Sequence, residues 1–349
     1  MPPRRVHFTA PSIIVPRRYK PLCATSFCMF LYGGLHGVIH ISEGWDDLAA
    51  ALIESGLRES VYIMGATDTG KTTLCRYLLS RTSAHVRTGC VDCDTGQSWI
   101  GPPTTEGMTI HPGPSKPVLR FVGSTSPRGH LVQTLTGAKR LAEWALEDGA
   151  RITLIDSPGL VHGGVGIEFQ NQMIDLLRPD HIVALQRGRE LEGVLANFAR
   201  HPTIQTHRFP VSTAVLPRTA AERRRYREER FTAYFAGAQV QEIALREPGL
   251  QGRVPDPENR SGVAGRLVSL NDPENFVIVL GIVSEFDTKG RTLTVFAPPF
   301  DTTSVASVRF GSVSLDLEAP PGTMECHRFE ASTQGQTRAR PHTPPPGLL

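Results

Sequence analysis

The sequence predicts an α/β fold: a doubly wound parallel sheet with helices on both faces, followed by a small C-terminal β-rich domain. Three observations predict it. Up to residue 210, short apolar runs of strand character alternate with segments whose apolar residues recur every three or four positions. One of those runs, Val61 to Met64, passes straight into a glycine-containing turn and then into helical spacing at Leu74, Tyr77, Leu78 and Leu79. After residue 265 the helical period gives way to strand-like runs joined by tight turns.

The turn reads Gly65-Ala-Thr-Asp-Thr-Gly-Lys-Thr-Thr73. A G-x-x-x-x-G-K-T run between a strand and a helix is the P-loop NTPase arrangement. Gly65 and Gly70 let the backbone turn its N–H groups inward, and the following helix adds the positive end of its dipole. Gly65, Ala66, Thr67, Asp68, Thr69, Gly70, Lys71, Thr72 and Thr73 are therefore the expected nucleotide-binding residues. Lys71 is expected on the β- and γ-phosphates and Thr72 on Mg²⁺. The chain is expected to bind a nucleoside triphosphate.

Length and charge bound the rest. A chain of 349 residues, 40% hydrophobic and 20% charged, holds one large domain and a small one. Net charge is +3, but residues 1–35 carry five basic residues and no acid, which leaves −2 for the remainder. Nucleic-acid binding must then be local rather than a coat over a basic body. The six cysteines form no disulfide framework, and Cys90-Val-Asp-Cys93 is a lone C-x-x-C that a strand explains. No apolar run is long enough to span a bilayer, and a cytoplasmic protein is expected.

Taken in order, residues 1–35 contain five prolines and no sustained period, and are expected to be a disordered or spurious extension. A short strand over 36–42 leads to a helix opening at Ser42 and running through Ile53, with Trp45, Leu48, Ala49 and Leu52 on one face. A P-loop domain is expected over 36–240. After the loop helix, Val86 to Gln97 reads as a strand ending in two acids, Asp92 and Asp94, which share a face of an extended strand. Beside a triphosphate loop these acids point to metal or base chemistry; a polar turn is the alternative. Ile100 to Thr105 is read as an ordered loop.

Arg120 onward forms a strand and a polar turn, then a helix from Leu131 to Leu146. Ser124, Thr125, Ser126 and Arg128 precede that helix, where they suit either capping or anion binding. Ile152-Thr-Leu-Ile-Asp156 is an apolar strand ending in an acid, a Walker B pattern, so Asp156 is expected to hold a Mg²⁺-bound water. Asp156-x-x-Gly159 also fits a GTPase switch turn, although no Asn-Lys-x-Asp follows. Gly163 to Gly166 is read as a flexible segment able to close over substrate. A helix over Glu168–Leu177, a strand over 179–185, a helix over Glu190–Phe198 and a strand over Gln205–Pro210 complete the alternation.

Residues 218–235 form an arginine-dense helix with Arg223, Arg227 and Arg230 along one face, either a solvated helix or a lid over phosphates. Residues 241–264 read as a linker. The small β domain is expected over 265–318, with strands near 265–270, 276–284, 292–296 and 305–313, and a disordered tail over 319–349.

These motifs resemble the P-loop polynucleotide 5′-hydroxyl kinases. That family includes the kinase subunit of the mRNA 3′-end cleavage factor, the pre-rRNA-processing kinases, and archaeal and bacterial relatives. The likeness runs from about residue 43 to about residue 317 and is carried by several segments. Gly65 to Leu74 looks like the family's phosphate loop. Asp92-Cys-Asp-Thr-Gly-Gln97 with Ile100-Gly-Pro-Pro looks like its D-x-D-x-G-Q…GPP signature. Thr125-Ser-Pro-Arg-Gly-His130 is similar to its T-x-P segment, Arg223 to Gly237 to its arginine lid, and Leu280-Gly-Ile-Val283 to part of its C-terminal domain.

The resemblance implies ATP as phosphoryl donor, Mg²⁺, the 5′-OH end of RNA or DNA as acceptor, and an RNA-processing protein as a possible partner class. It makes Lys71, Asp92, Asp94, Arg223 and Arg227 the candidate catalytic residues, with Asp94 favoured as the group that polarises the hydroxyl. Thr72, Asp92 and Asp156 become the candidate metal set, and Gln97, Thr125 and Arg128 the candidate substrate contacts. The eukaryotic branch has T-x-G-W at the clasp on the nucleic-acid end, where Ser157-Pro-Gly-Leu160 stands here, without the stacking tryptophan. That branch's N-terminal β-domain has no counterpart in the opening residues. Two other functions remain in view: a nucleotide-hydrolysing switch or assembly factor, and an ATP-binding scaffold without kinase activity.

Overall fold

In the computed structural model, residues 41–113, 116–245, 248–255 and 263–316 are described, with the backbone of 326–328. The expected N-terminal extension, the strand at 36–40 and most of the tail beyond 319 lie outside them. Among the described residues, α1 (Trp45–Glu54), β1 (Glu59–Gly65), α2 (Lys71–Thr82), β2 (Thr88–Asp92), β3 (Thr105–His111) and β4 (Val118–Phe121) come first. Next are α3 (Leu131–Glu147), β5 (Ile152–Asp156), α4 (Gly163–Leu177), β6 (His181–Gln186), α5 (Glu192–Phe198), β7 (Gln205–Pro210) and α6 (Ala220–Tyr234).

The first sheet runs β4-β3-β2-β5-β1-β6-β7. Strands β2, β5, β1, β6 and β7 are parallel, so their C-terminal ends meet at one edge. Its two faces carry different cores. Leu48, Leu52, Leu74, Leu78, Ile63 and Leu154 pack α1 and α2 on one side. Ala138, Leu141, Phe169, Met173, Ile155 and Ile182 pack α3 and α4 on the other. Because Cys90 and Cys93 fall into these two opposite cores, they share no site.

The sheet is not parallel throughout, as the alternation alone suggested. Strand β3, which falls where a loop was expected to end, is antiparallel to β2, and β4 is antiparallel to β3. Among the described residues no helix separates 92 from 121, so these strands follow as a meander rather than as crossover units. Two other readings are corrected. Gly163 to Gly166 is the first turn of α4 rather than a flexible flap, and Gly166 packs against Val161 backbone where a side chain would not fit. Helix α1 starts at Trp45 after Gly44 rather than at Ser42.

The second sheet takes β8 (Gln239–Ala244), β9 (Gly249–Gly252), β10 (Arg266–Asn271), β11 (Val277–Asp287), β12 (Thr292–Ala297), β13 (Ser307–Leu315) and β14 (Cys326–Arg328). Its order is β14-β13-β10-β11-β12-β8, with β9 beside β13. The stretch read as a linker over 241–264 thus contributes two strands. Strand β8 is an edge strand that buries only Ile243, so its polar sequence hid it.

Helix α6 joins the two sheets. Thr219 caps it with a capping box to Glu222, and Phe231 and Phe235 enter the core of the second sheet beside Leu267, Leu280, Ile282 and Val313. The Leu280 amide also donates to Tyr234 Oη at 2.9 Å. The expected arginine lid is therefore anchored by one apolar face. Phe231 is the only residue of α6 buried outright. Phe231→Ala is expected to cost about 3–5 kcal/mol, read as a lower urea midpoint and faster amide exchange along α6.

Candidate active site at the C-terminal edge of the first sheet

The site forms where β1, β5 and β2 end side by side. Ile63 is opposite Asp156 across the β1–β5 pair, and Asp156 is opposite Asp92 across β5–β2. The loop Gly65–Gly70 leaves β1 and turns into α2 at Gly70, whose φ of 90° suits glycine. Lys71 is buried and its Nζ donates to Ala66 O at 2.9 Å, while Thr69 Oγ1 donates to the same carbonyl at 2.9 Å. Burial pulls the Lys71 pKa down, opposed by the charges of Asp156, Asp94 and Asp68. All three acids therefore lie within electrostatic reach of the loop lysine.

Asp156 is fully buried. Its Oδ2 accepts from Thr72 Oγ1 at 2.6 Å, and its Oδ1 is buried without a hydrogen bond. Burial pushes its carboxyl up to about 6, against the pull of Lys71 and Thr72. A carboxylate with one oxygen on the loop threonine and the other unsatisfied fits a Mg²⁺ position. Thr72, Thr73 in the same helical turn, and the amides at the start of α2 fit the phosphates of a nucleotide. Among the described residues no group of three or more His, Cys, Asp or Glu could hold a metal. Mg²⁺ that keeps waters and phosphate oxygens needs only one or two protein oxygens.

The two acids of the D-x-D run behave differently. Asp92 ends β2, buried, with Oδ2 accepting from Ser98 Oγ at 3.0 Å, Trp99 N at 2.7 Å and Ile100 N at 3.0 Å. Its Oδ1 accepts from Asp94 N at 3.0 Å. The carboxylate is thus spent on folding the loop 94–100. This corrects the expectation that Asp92 and Asp94 face the ligand together as base and metal ligand. Burial and the neighbouring Asp156 raise the Asp92 carboxyl above its ordinary range. Asp94 lies beyond the strand. Its Oδ1 accepts from Gly96 N and Gln97 N at 3.0 Å each, and its Oδ2 makes no hydrogen bond among the described residues.

Helix α6 covers this loop. Tyr226 Oη donates to Ser98 O at 2.7 Å, and Arg230 Nη2 donates to Gly101 O at 2.5 Å. Gln97 is tied to the start of the helix through Arg218 Nη1 at 3.0 Å and the Arg223 carbonyl at 3.4 Å. Arg223 Nη2 pairs with Asp68 Oδ2 in the phosphate loop. Arg227 is half-buried, its Nε has no partner, and it makes no hydrogen bond or ion pair among the described residues.

Two further loops border the site. Gly159 lies so close to Thr67, which is itself exposed, that an added Cβ would fall 2.6 Å from its Oγ1. The Thr125 carbonyl comes as close to Gly96, where a Cβ would stand 2.7 Å away. Arg128 is exposed, and its side chain makes no hydrogen bond or ion pair among the described residues. Sequence patterns missed Arg187, which follows β6 and donates from Nη2 to Asp68 O at 2.5 Å. They also missed Trp99 and Tyr226; an arginine directly after a parallel strand's C-terminal end was the available signal for the first.

The family described as "mRNA cleavage and polyadenylation factor CLP1 P-loop" matches residues 65–237. A polyribonucleotide 5′-hydroxyl-kinase of Pyrococcus abyssi is 27% identical over 77% of this chain and 91% of its own. One of Pyrococcus furiosus is 30% identical over 55% of each chain. A CLP1 homolog of Culex quinquefasciatus is 30% identical over 52% of this chain and 46% of its own. The Clp1p chain of a Clp1p–Pcf11p complex superposes with a TM-score of 0.62 at 14% identity, covering 79% and 80% of the two chains, which shows a shared fold.

The pH response follows from Asp156. Between the unfolded value of 3.8 and about 6, the folded protein holds the proton and the unfolded chain does not. Stability from this group is therefore full below about pH 4 and is lost as pH rises through about 6. In metal-free protein, the stability of the wild type relative to Asp156→Asn is expected to rise by up to about 3 kcal/mol on going from pH 7 to pH 4. Thermal unfolding of both proteins across that range checks it.

Proposed function

We propose, from the premise that residues 65–237 relate this chain to the CLP1 P-loop proteins, that it is an ATP-dependent polynucleotide kinase acting on 5′-hydroxyl ends. The observation that carries the reading is the gathering of Lys71, the Thr72–Asp156 pair and Asp94 at one sheet edge under an arginine helix. The names of the archaeal relatives support the acceptor, a polyribonucleotide 5′-hydroxyl.

Phosphoryl transfer needs positioning and charge stabilisation more than covalent help. The amides between Gly65 and Gly70 and the start of α2 cradle the donor's phosphates. Lys71 exchanges its Ala66 carbonyl for phosphate oxygens. Thr72 and Asp156 would hold Mg²⁺, which neutralises charge on the β- and γ-oxygens when bound. Asp94, with its free Oδ2, orients the 5′-hydroxyl and takes its proton as the new O–P bond forms and the bond to the β-phosphate oxygen breaks. Arg223 and Arg227 face the transferring group. Asp92 serves by shaping the loop that carries Asp94.

A second reading has one specific observation behind it. The Asp156-x-x-Gly159 turn seats against Thr67 of the phosphate loop, as a γ-phosphate sensor in a hydrolysing switch would. One assay separates the two: γ-labelled ATP with 5′-OH RNA or DNA oligonucleotides, scored for transfer and for free phosphate. Transfer is expected. Free phosphate alone, unaffected by 5′-OH ends, would favour the switch. Lys71→Ala is expected to abolish transfer, and Asp94→Asn to lower kcat by roughly 10²–10⁴-fold with a small change in KM for ATP.

A further inference from the structure

Asp68 stands in the middle of the phosphate loop at φ 56°, a left-handed conformation that glycine adopts more easily. Its side chain is 15% exposed, and it is gripped from two directions. From the β6 side, Arg187 Nη2 donates to its carbonyl at 2.5 Å. From the arginine helix, the Arg218 amide donates to Oδ2 at 3.1 Å, and Arg223 Nη2 pairs with the same oxygen. The remaining donors of Arg223 are not all used, since its Nε is buried without a partner.

We propose that Asp68 is a positioning residue that docks the start of the arginine helix on the phosphate loop. It holds Arg223 by one Nη and leaves the other guanidinium donors to meet the transferring phosphoryl group. Three features carry this. First, Oδ2 collects both a backbone and a side-chain donor from the same helical end, which fixes the position of α6 and the direction of Arg223. Second, the buried apolar anchor of α6 lies at its far end, at Phe231 and Phe235, while the Thr219 end meets the phosphate loop through the Arg218 and Arg223 contacts to Asp68. Third, the contact joins the helix to the loop that receives the nucleotide, so loading that loop and placing the arginine are mechanically linked. A guanidinium steered by a carboxylate loses less freedom per bond made to substrate. The inference deepens the kinase reading and rests on it for its catalytic half.

The test compares wild type with Asp68→Asn, which keeps size and tolerates the left-handed backbone but removes the charge. Asp68→Gly, suited to φ 56°, guards against a loop effect of the asparagine amide. The first measurement is trypsin cleavage within α6, after the exposed Arg224 and Arg225, on nucleotide-free full-length protein. Both variants are expected to be cut at least about fivefold faster. The second is transfer kinetics: kcat falls about tenfold or more while the ATP Kd stays within about threefold. The third is a cycle in the Arg223→Ala background, where Asp68→Asn should cost less than about threefold, because its effect runs through that arginine.

Unchanged cleavage would overturn the docking role. A loss confined to ATP affinity, or an undiminished effect without Arg223, would overturn the steering role. If wild-type protein transfers to no 5′-OH end, the kinase reading falls, and the cleavage measurement still decides whether Asp68 docks the helix.

Discussion

The hydrogen bond between Thr72 Oγ1 and Asp156 Oδ2, 2.6 Å long and at the floor of the site, is the contact around which the rest is arranged. It joins the helix that follows the phosphate loop to the central strand of the sheet. For it to form, β1 and β5 must pair in the register that sets Ile63 opposite Asp156, and α2 must start at Lys71. A buried carboxylate is costly unless compensated. Compensation here is partial: a hydroxyl on one oxygen, Lys71 and the Trp99 indole close enough to favour the charge, and no hydrogen bond on the other oxygen. A fold optimised only for stability would have filled that position with an apolar side chain. What is retained is a buried oxygen that a divalent cation would satisfy, and a cation bound there would couple binding to stability through that single oxygen.

The same logic separates the three acids. Asp92 is equally buried, yet its two oxygens accept four hydrogen bonds from the loop that follows. Its hydrogen-bonding capacity has been used for shape. Asp94 is two residues on, half-buried, with one oxygen capping the turn at Gly96 and Gln97 and the other left over. The division of labour arises because β2 stops at Asp92: one acid points into the loop's backbone amides and the next rides on the loop itself. Helix α6 then closes over that loop by donating to carbonyl oxygens of residues 98 and 101 rather than to side chains. The arrangement tolerates many side chains in the loop but few changes of its backbone path.

Much of this was legible in the sequence because its signals are local. Strand β1, the glycine loop and α2 sit next to each other in the chain, and the Walker B strand declares itself by three apolar residues, a threonine and an acid. What stayed hidden depends on distant partners. Strand β3 lies in a stretch read as following an ordered loop, and while a strand was expected from Arg120 onward, its antiparallel pairing with β3 and their shared packing on α3, which begins at residue 131, were not. Gly163 to Gly166 looked flexible by composition, yet it is the first turn of α4, and Gly166 is held to a small residue because Val161 backbone lies against it. Strand β8 was missed because only Ile243 is buried. Equal spacing made Asp92 and Asp94 look equivalent, and only the path of the chain after β2 tells them apart. The family likeness supplied the roles of the arginines; Arg187 lies in no motif and appears only when β6 is laid beside β1.

The distribution of charge at this edge has its own consequence. Lys71, Arg187, Arg218 and Arg223 border the loop, and Asp68, Asp94 and Asp156 answer them across short distances. With no nucleotide, the cations are held in place by acids and carbonyls: Lys71 by Ala66 O, Arg187 by Asp68 O, Arg223 by the Asp68 carboxylate, Arg230 by Gly101 O. The carbonyl acceptors among these are weaker than a phosphate oxygen, and the Asp68 carboxylate is a charged acceptor like one. Such preorganisation keeps the reorganisation needed at the moment of transfer small, which is the condition under which electrostatic stabilisation acts most strongly. Arg227 is the exception, since it has no acceptor among the described residues and its Nε is already out of water. Arg223 and Arg227 each carry a buried Nε without a partner, so on α6 these are the arginines for which an incoming phosphoryl group would satisfy a donor that the protein itself leaves unsatisfied.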